Sequence, residues 1–346
     1  MISDNVMGNQ LEFRWLGVAG FELRTPGATL LIDPFLTRPP LHKLFFGRTR
    51  PDGELLRQYL PQADFILVSH AHYDHLLDVA EIAGYSGARV YGSANTCRIV
   101  EVCGLASAQV VRVRAGEVLS LTPDPSAGKG KGRGVRGAQI SGEGEQNWPL
   151  QPAPFLCSSE QLKRKGKKQA LIPSSPAPDL NRAFIVEVLC GEHATVPLFG
   201  SKQLPHRLAY PLRLRDFVLD EDFGFLIQAG ETRLLSWHDW RPGPAPQADV
   251  LVIGADIHLS ELGELIDQVQ PRLLIPTHWD NFLRPLSKTL KPFYRPPCPG
   301  HWLPERYDPW AVQRWIARHR PGVLVYVPRL WERIDLQDDQ GVQSGA

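Results

Sequence analysis

Immediately after the short apolar run Phe65 to Val68 the chain reads Ser69-His70-Ala71-His72-Tyr73-Asp74-His75, and a helical pattern begins at Leu76. Four side chains of metal-ligand type thus occupy six positions at the end of a strand. In extended backbone, side chains two apart share a face, so His70 and His72 point together. The turn into the helix brings Asp74 and His75 round to an adjacent point, so that one stretch can feed two metal centres. A polar cluster at a strand end, directly before a helix, suits a layered α/β architecture, in which sites gather at strand ends.

The rest of the chain agrees with that architecture. Short runs rich in Val, Ile, Leu and Phe, bounded by Gly, Pro or Asp, predict strands. They fall at Leu11 to Leu16, Thr29 to Ile32, Phe65 to Val68, Val110 to Val113, Phe184 to Leu189, Phe223 to Gln228, Arg233 to Ser236, Val250 to Ile253, Leu273 to Ile275 and Val323 to Val327. The early strands follow one another through tight glycine turns, which predicts antiparallel hairpins. Helices are expected over Leu76 to Ala83, Leu259 to Gln268 and Pro309 to His319, the last with Asp308 as N-cap and proline in its first turn. Between about residues 123 and 180 the pattern gives way to Gly, Ser, Pro and Lys, with nine Lys or Arg against five Asp or Glu. This stretch is expected to be a flexible basic insertion in a single domain spanning 1–346, with a C-terminal extension at about 284–346.

Charge and hydropathy narrow the function classes. Lys plus Arg number 38 against 37 Asp plus Glu, a formal net charge of +1. Such a balance gives no whole-protein attraction to nucleic acid or to an anionic membrane. No apolar run approaches the roughly 20 residues of a membrane helix, and the opening MISDNVMGNQ lacks a basic and an apolar signal region. A soluble, cytoplasmic protein without a transmembrane segment is the expectation. The five cysteines are widely spaced with no C-x-x-C pair, so a cysteine zinc knuckle is not indicated.

Histidine nitrogen and carboxylate oxygen suit zinc, with manganese or iron as substitutes. Six positions cannot complete two coordination shells, so further ligands belong at the ends of later strands. His193 in Cys190-Gly191-Glu192-His193, Asp239 in Trp237-His238-Asp239, and His278 in Pro276-Thr277-His278-Trp279-Asp280-Asn281-Phe282 each lie just past an apolar run. His206 competes with His193, and His238 with Asp239.

These motifs, in this order and preceded by Asp33 in Leu31-Ile32-Asp33-Pro34, resemble those of the metallo-β-lactamase-fold hydrolases over residues 11 to about 283. Tyr73 and the Thr277-His278-Trp279-Asp280-Asn281-Phe282 ending look most similar to the branch of ascorbate-phosphate lactonases and N-acyl-phosphatidylethanolamine phospholipase D. The resemblance implies an αββα four-layer sandwich and two divalent ions. It places His70, His72 and His193 on one ion and Asp74, His75 and His278 on the other, with Asp239 bridging. It also implies that Asp33 orients a ligand or the loop around it.

Two divalent ions can supply a hydroxide nucleophile at neutral pH, and Asp74 facing it could pass a proton to the leaving group. The reaction expected is hydrolysis of a phosphodiester or lactone in a small or lipid-like anionic substrate. Arg38 to Phe46 and Phe293 to Trp302 are candidate substrate loops, and Trp240 and Trp279 candidate pocket walls. There is no G-x-S-x-G elbow and no Walker loop. The alternatives are a non-catalytic metal-binding scaffold and a nuclease that uses the basic insertion; near-neutral charge argues against nucleic acid as partner.

Overall fold

Alternation of side chains along short apolar strands decides the layers. The computed structural model describes residues 10–123, 183–193, 204–205, 207–295 and 305–337. The expected basic insertion, apart from Pro123, and His206 lie outside these residues. The first sheet is built from β1 (Glu12–Gly17), β2 (Gly20–Arg24), β3 (Thr29–Ile32), β4 (Phe65–Leu67), β5 (Arg89–Gly92) and β6 (Val110–Arg112). The second comprises β7 (Val118–Leu121), β8 (Phe184–Cys190), β9 (Phe223–Ala229), β10 (Thr232–Ser236), β11 (Val250–Gly254) and β12 (Leu273–Thr277). A small separate ribbon pairs β13 (Tyr294–Arg295) with β14 (Glu305–Arg306). Residues beyond 284 then give one edge strand to each main sheet: β15 (Leu324–Val325) pairs with β12 and β16 (Arg333–Asp335) with β1.

The sheet orders are β16-β1-β2-β3-β4-β5-β6 and β15-β12-β11-β10-β9-β8-β7. Each sheet has an antiparallel and a parallel part: β16 to β3 and β7 to β10 pair antiparallel, while β3 to β6 and β10 to β12 to β15 run parallel. Parallel neighbours need helical crossovers, and these cover the outer faces. Leu30, Ile32, Phe65 and Leu67 of the first sheet meet Val250, Val252, Leu273 and Ile275 of the second in a core between the sheets. The intervening Leu31 and Ile66 face outward onto the helical residues Leu56, Ile82 and Val100. On the far side Leu251 and Leu274 pack against Leu262, Ile266 and Ile316. The result is helix, sheet, sheet, helix.

The predicted strands all contribute to the sheets, and the helices Leu259–Val269 and Pro309–His319 stand where their periodicity placed them. Asp308 Oδ1 accepts from Trp310 N at 3.0 Å and Ala311 N at 3.3 Å, capping the latter. The helix expected over Leu76 to Ala83 is broken in two, Tyr73–Leu76 and Val79–Ser86. The break falls at Asp78, whose buried carboxylate turns away to a neighbouring loop. Its Oδ2 accepts from Leu36 N at 2.6 Å and Thr37 N at 2.7 Å, tying down the loop that follows β3.

That tie has a pH signature. Burial outweighs the two amide hydrogen bonds and pushes the Asp78 carboxyl up to about 6. Below about pH 4 the group is neutral in both folded and unfolded chains. As pH rises from about 4 to 6 the unfolded chain ionises first, so folding loses about 2–3 kcal/mol through this group, and the loss is complete above pH 6. Asp78→Asn cannot ionise, and its stability relative to the wild type should rise by about that amount between pH 4 and 7. Urea unfolding of both proteins across this range checks it; a pH-independent difference contradicts the assignment.

Candidate metal centre

Strand ends converge on one edge of the sandwich. β3 leads to Asp33, β4 to Ser69–His75, β8 to His193, β10 to Asp239 and β12 to His278. Asp33 and His278 both have left-handed backbone, with φ of 44° and 52°. Both turn the chain sharply where it leaves its strand. His278 N donates to Val18 O at 2.8 Å, so the glycine turn between β1 and β2 supports it. Gly17 in that turn has φ 98°, and a Cβ there would lie 2.6 Å from Arg38 Nη2, so only glycine fits.

Two groups of three ligand-type side chains result. One atom from each of His70, His72 and His193 lies within 4.8 Å of the others, and the same holds for Asp74, His75 and His278. The structure therefore brings together the two trios that the resemblance implied. Asp239 groups instead with His70 and with Asp222, a residue that sequence reasoning did not single out. His238, the rival of Asp239, hydrogen-bonds through Nε2 to Thr277 Oγ1 at 2.9 Å, which anchors it to the end of β12.

Hydrogen bonding orients the cluster. Asp33 Oδ1 accepts from Ser69 N at 2.8 Å, and its Oδ2 accepts from Ser69 Oγ at 2.6 Å and lies 2.9 Å from His75 Nδ1. A carboxylate on Nδ1 fixes the tautomer and leaves Nε2 for the site. His75 Nε2 and His278 Nε2 stand 3.8 and 3.7 Å from Asp74 Oδ2, inside electrostatic reach but too long for hydrogen bonds.

The proton affinities follow. Burial alone would raise the Asp74 carboxyl, yet His75, His278 and His72 together hold it well below the usual carboxylate range. Burial lowers His70 well below an ordinary imidazole, with His75, His72 and His193 adding to the effect, and brings His72 down to about 4 with help from His193. Both are therefore neutral donors at physiological pH. Burial also works against protonation of His278, but Asp74, Asp256 and Asp239 overcome it and raise the ring to about 9. A metal ion entering there would take the place of a proton.

A divalent ion fits this set. His70 Nε2 is buried without a hydrogen-bond partner, a costly arrangement that a Lewis acid would relieve. The remaining donors are imidazole and carboxylate, the set favoured by zinc and related ions.

Comparison with known proteins agrees with the layers. Residues 28–127 match the model of the beta-lactamase superfamily domain. The architecture is the metallo-β-lactamase fold. A solved structure, isothiocyanate hydrolase from Delia radicum gut bacteria, superposes on this metallo-β-lactamase fold with a TM-score of 0.50 at 12% identity, covering 93% of this chain and 98% of that one. A UPF0173 metal-dependent hydrolase of Myxococcus xanthus is 36% identical over 106 residues, 30% of this chain and 33% of the relative. One from Carboxydothermus hydrogenoformans is 40% identical over 102 residues, 30% and 37% of the two chains. The chain thus spans about a third of the length of the curated relatives it matches.

The candidate substrate residues fare differently from one another. Arg38 does not face a substrate: its Nη2 lies 2.6 Å from Asp280 Oδ2, and both side chains are buried. Trp240 is packed in the outer core, whereas Trp279 stacks on Trp15 with ring centroids 5.2 Å apart and, with Trp15 and Trp310, lines a cavity as a pocket wall would. Phe293 stacks on Phe282 at 4.7 Å, and Phe282 lies 6.5 Å from the His278 ring, forming an aromatic wall beside the site. Trp302 lies outside the described residues. Asp256, whose charge acts on His278, also escaped the sequence reading, although it follows β11 and the strand-end rule would have found it. Among the described residues no helix is long and apolar enough to cross a membrane.

Proposed function

We propose that this chain is a metal-dependent hydrolase with two adjacent divalent-metal sites, acting on a phosphodiester or lactone bond. The observation that carries the reading is the pair of largely buried ligand groups, His70, His72 and His193 beside Asp74, His75 and His278, with two members of each supplied by the one segment 70–75. The names of the curated relatives, metal-dependent hydrolases, support it. Bound divalent ions would supply Lewis acidity and an activated water at neutral pH. The protein's own part is to hold neutral imidazoles in place, to keep Asp74 ionised as a proton carrier, and to orient His75 through Asp33. Asp239, on the side of His70, is the residue proposed to bridge both ions. Phe282 and Phe293 offer an apolar wall to the non-reacting part of the substrate. Zinc is the ion proposed, and an anionic small molecule or lipid-like compound the substrate class.

Elemental mass spectrometry on the purified chain should find about two metals per chain, and chelation should abolish hydrolysis of bis(p-nitrophenyl) phosphate or of a simple lactone, with recovery on adding zinc. His70→Ala and His278→Ala should each lose metal. Turnover that survives complete metal removal would refute the reading.

A further inference from the structure

Asp222 stands directly ahead of β9, outside the ligand set read from the sequence, and its side chain is 4% exposed. Its Oδ1 is 3.2 Å from His70 Nδ1. Its Oδ2 is buried and has no hydrogen-bond partner. An ionisable group is expensive in such a place unless something nearby repays its desolvation. The backbone holds it there from two sides: Gly191 N donates to Asp222 O at 2.8 Å, and Phe223 N donates to Ser69 O at 3.0 Å. The second bond fixes β9 to the residue before His70; the first fixes it to the segment that carries His193.

Space for the carboxylate is reserved by glycine. A Cβ at Gly191 would lie 2.0 Å from Asp222 Oδ2 and 2.8 Å from its Cγ, so any larger residue expels the carboxylate from His70. The arrangement repeats what Asp33 does for His75, where a carboxylate also sits on Nδ1. Ser69 Oγ is 3.2 Å from His70 Nδ1 too, but it gives its proton to Asp33 and offers only a neutral oxygen.

We propose that Asp222 is a positioning residue for the His70, His72 and His193 site: its carboxylate accepts from His70 Nδ1–H, fixes the ring with Nε2 directed to a metal ion, and strengthens that nitrogen as a donor. The inference rests on the reading of both trios as metal sites. Each trio then has one imidazole backed by a buried carboxylate, Asp222 behind His70 and Asp33 behind His75. Partners of this kind are typically worth about 10–100-fold in metal affinity.

The test is competition for zinc between a chromophoric chelator and the full chain, in the wild type, Asp222→Asn, Asp222→Ala and Gly191→Ala. Expected is a loss of about 10–100-fold in affinity at one of two sites for Asp222→Ala and Gly191→Ala, and a smaller loss for Asp222→Asn, which keeps an acceptor oxygen but no charge. The other site should stay within about twofold of wild type. Nitrogen-15 histidine spectra of the zinc-loaded protein should show the His70 Nδ1–H signal displaced in Asp222→Ala and retained in Asp222→Asn. Zinc affinities unchanged in all three variants would overturn the proposal. So would loss of both metals together with a lowered melting temperature of the metal-free protein, the mark of a packing role. A wild-type chain that takes up no zinc overturns the metal-site reading and this inference with it; zinc binding that ignores position 222 overturns the inference alone.

Discussion

Asp74→Asn should lower hydrolytic turnover by about 10²–10⁴-fold, the range associated with losing a positioned proton carrier. The substitution keeps the shape of the side chain and removes its charge. His75 and His278, each within 4 Å of Asp74 Oδ2, then lose the anion that they surround. Metal should leave the Asp74, His75 and His278 group while the His70, His72 and His193 group stays loaded, so metal content should fall by about half as activity falls by orders of magnitude. Steady-state rates paired with elemental analysis measure both quantities. Turnover within tenfold of the wild type would show that Asp74 neither holds the ion nor moves the proton.

The second large effect concerns stability. Arg38 and Asp280 form an ion pair that is 1% and 0% exposed in its side chains, and Arg38 Nη1 also donates to Asn281 O at 3.1 Å and Arg284 O at 3.2 Å. Asp280 Oδ1 in turn accepts from Val18 N at 2.7 Å. Arg38→Ala leaves a buried carboxylate and two carbonyl oxygens without their cation, and should cost about 3–5 kcal/mol in chemical denaturation. Arg38→Lys, a point charge without the planar fork, should lie between. A loss below about 1 kcal/mol for Arg38→Ala would mean that water or a relaxed loop replaces the guanidinium. Because Asp280 lies two residues after His278, the same substitution loosens the turn that carries a proposed ligand.

Position along the chain explains which parts could be read from sequence. The H-x-H-x-D-H run is legible because strand geometry and the following turn act within six residues, and the local backbone alone brings those side chains together. His193, Asp239 and His278 were reachable through a single rule, polar residues just past apolar strands, and Asp256 obeys the same rule unnoticed. Asp222 does not: it precedes its strand in Leu219-Asp220-Glu221-Asp222, where nothing local separates the buried acid from its two neighbours. Only the packing of β9 against Ser69 and Gly191 selects it. Arg38 was misread for a related reason. Its partner is 242 residues away, and a cation among aromatics looks like a substrate contact until Asp280 is placed beside it. Strands β2, β5, β7 and β16 were not separated out because three- to five-residue strands carry too little periodicity; their neighbours in the sheet define them.

The pairing of β7 with β8 bears on how such a chain can change over evolutionary time. Leu121 and Phe184 are register partners in adjacent antiparallel strands, so the chain leaves the second sheet and re-enters it at the same rung. From that rung β8 runs through Cys190, roughly 20 Å at about 3.3 Å per residue, before it reaches the segment with His193. The doorway and the chemistry are at opposite ends of one strand. At that rung the sheet requires of sequence gained or lost between residues 121 and 184 that its two ends meet, a closure whose cost grows slowly with length. The scaffold therefore has a port at which new modules can be fitted and discarded while the strand end that presents His193 keeps its register.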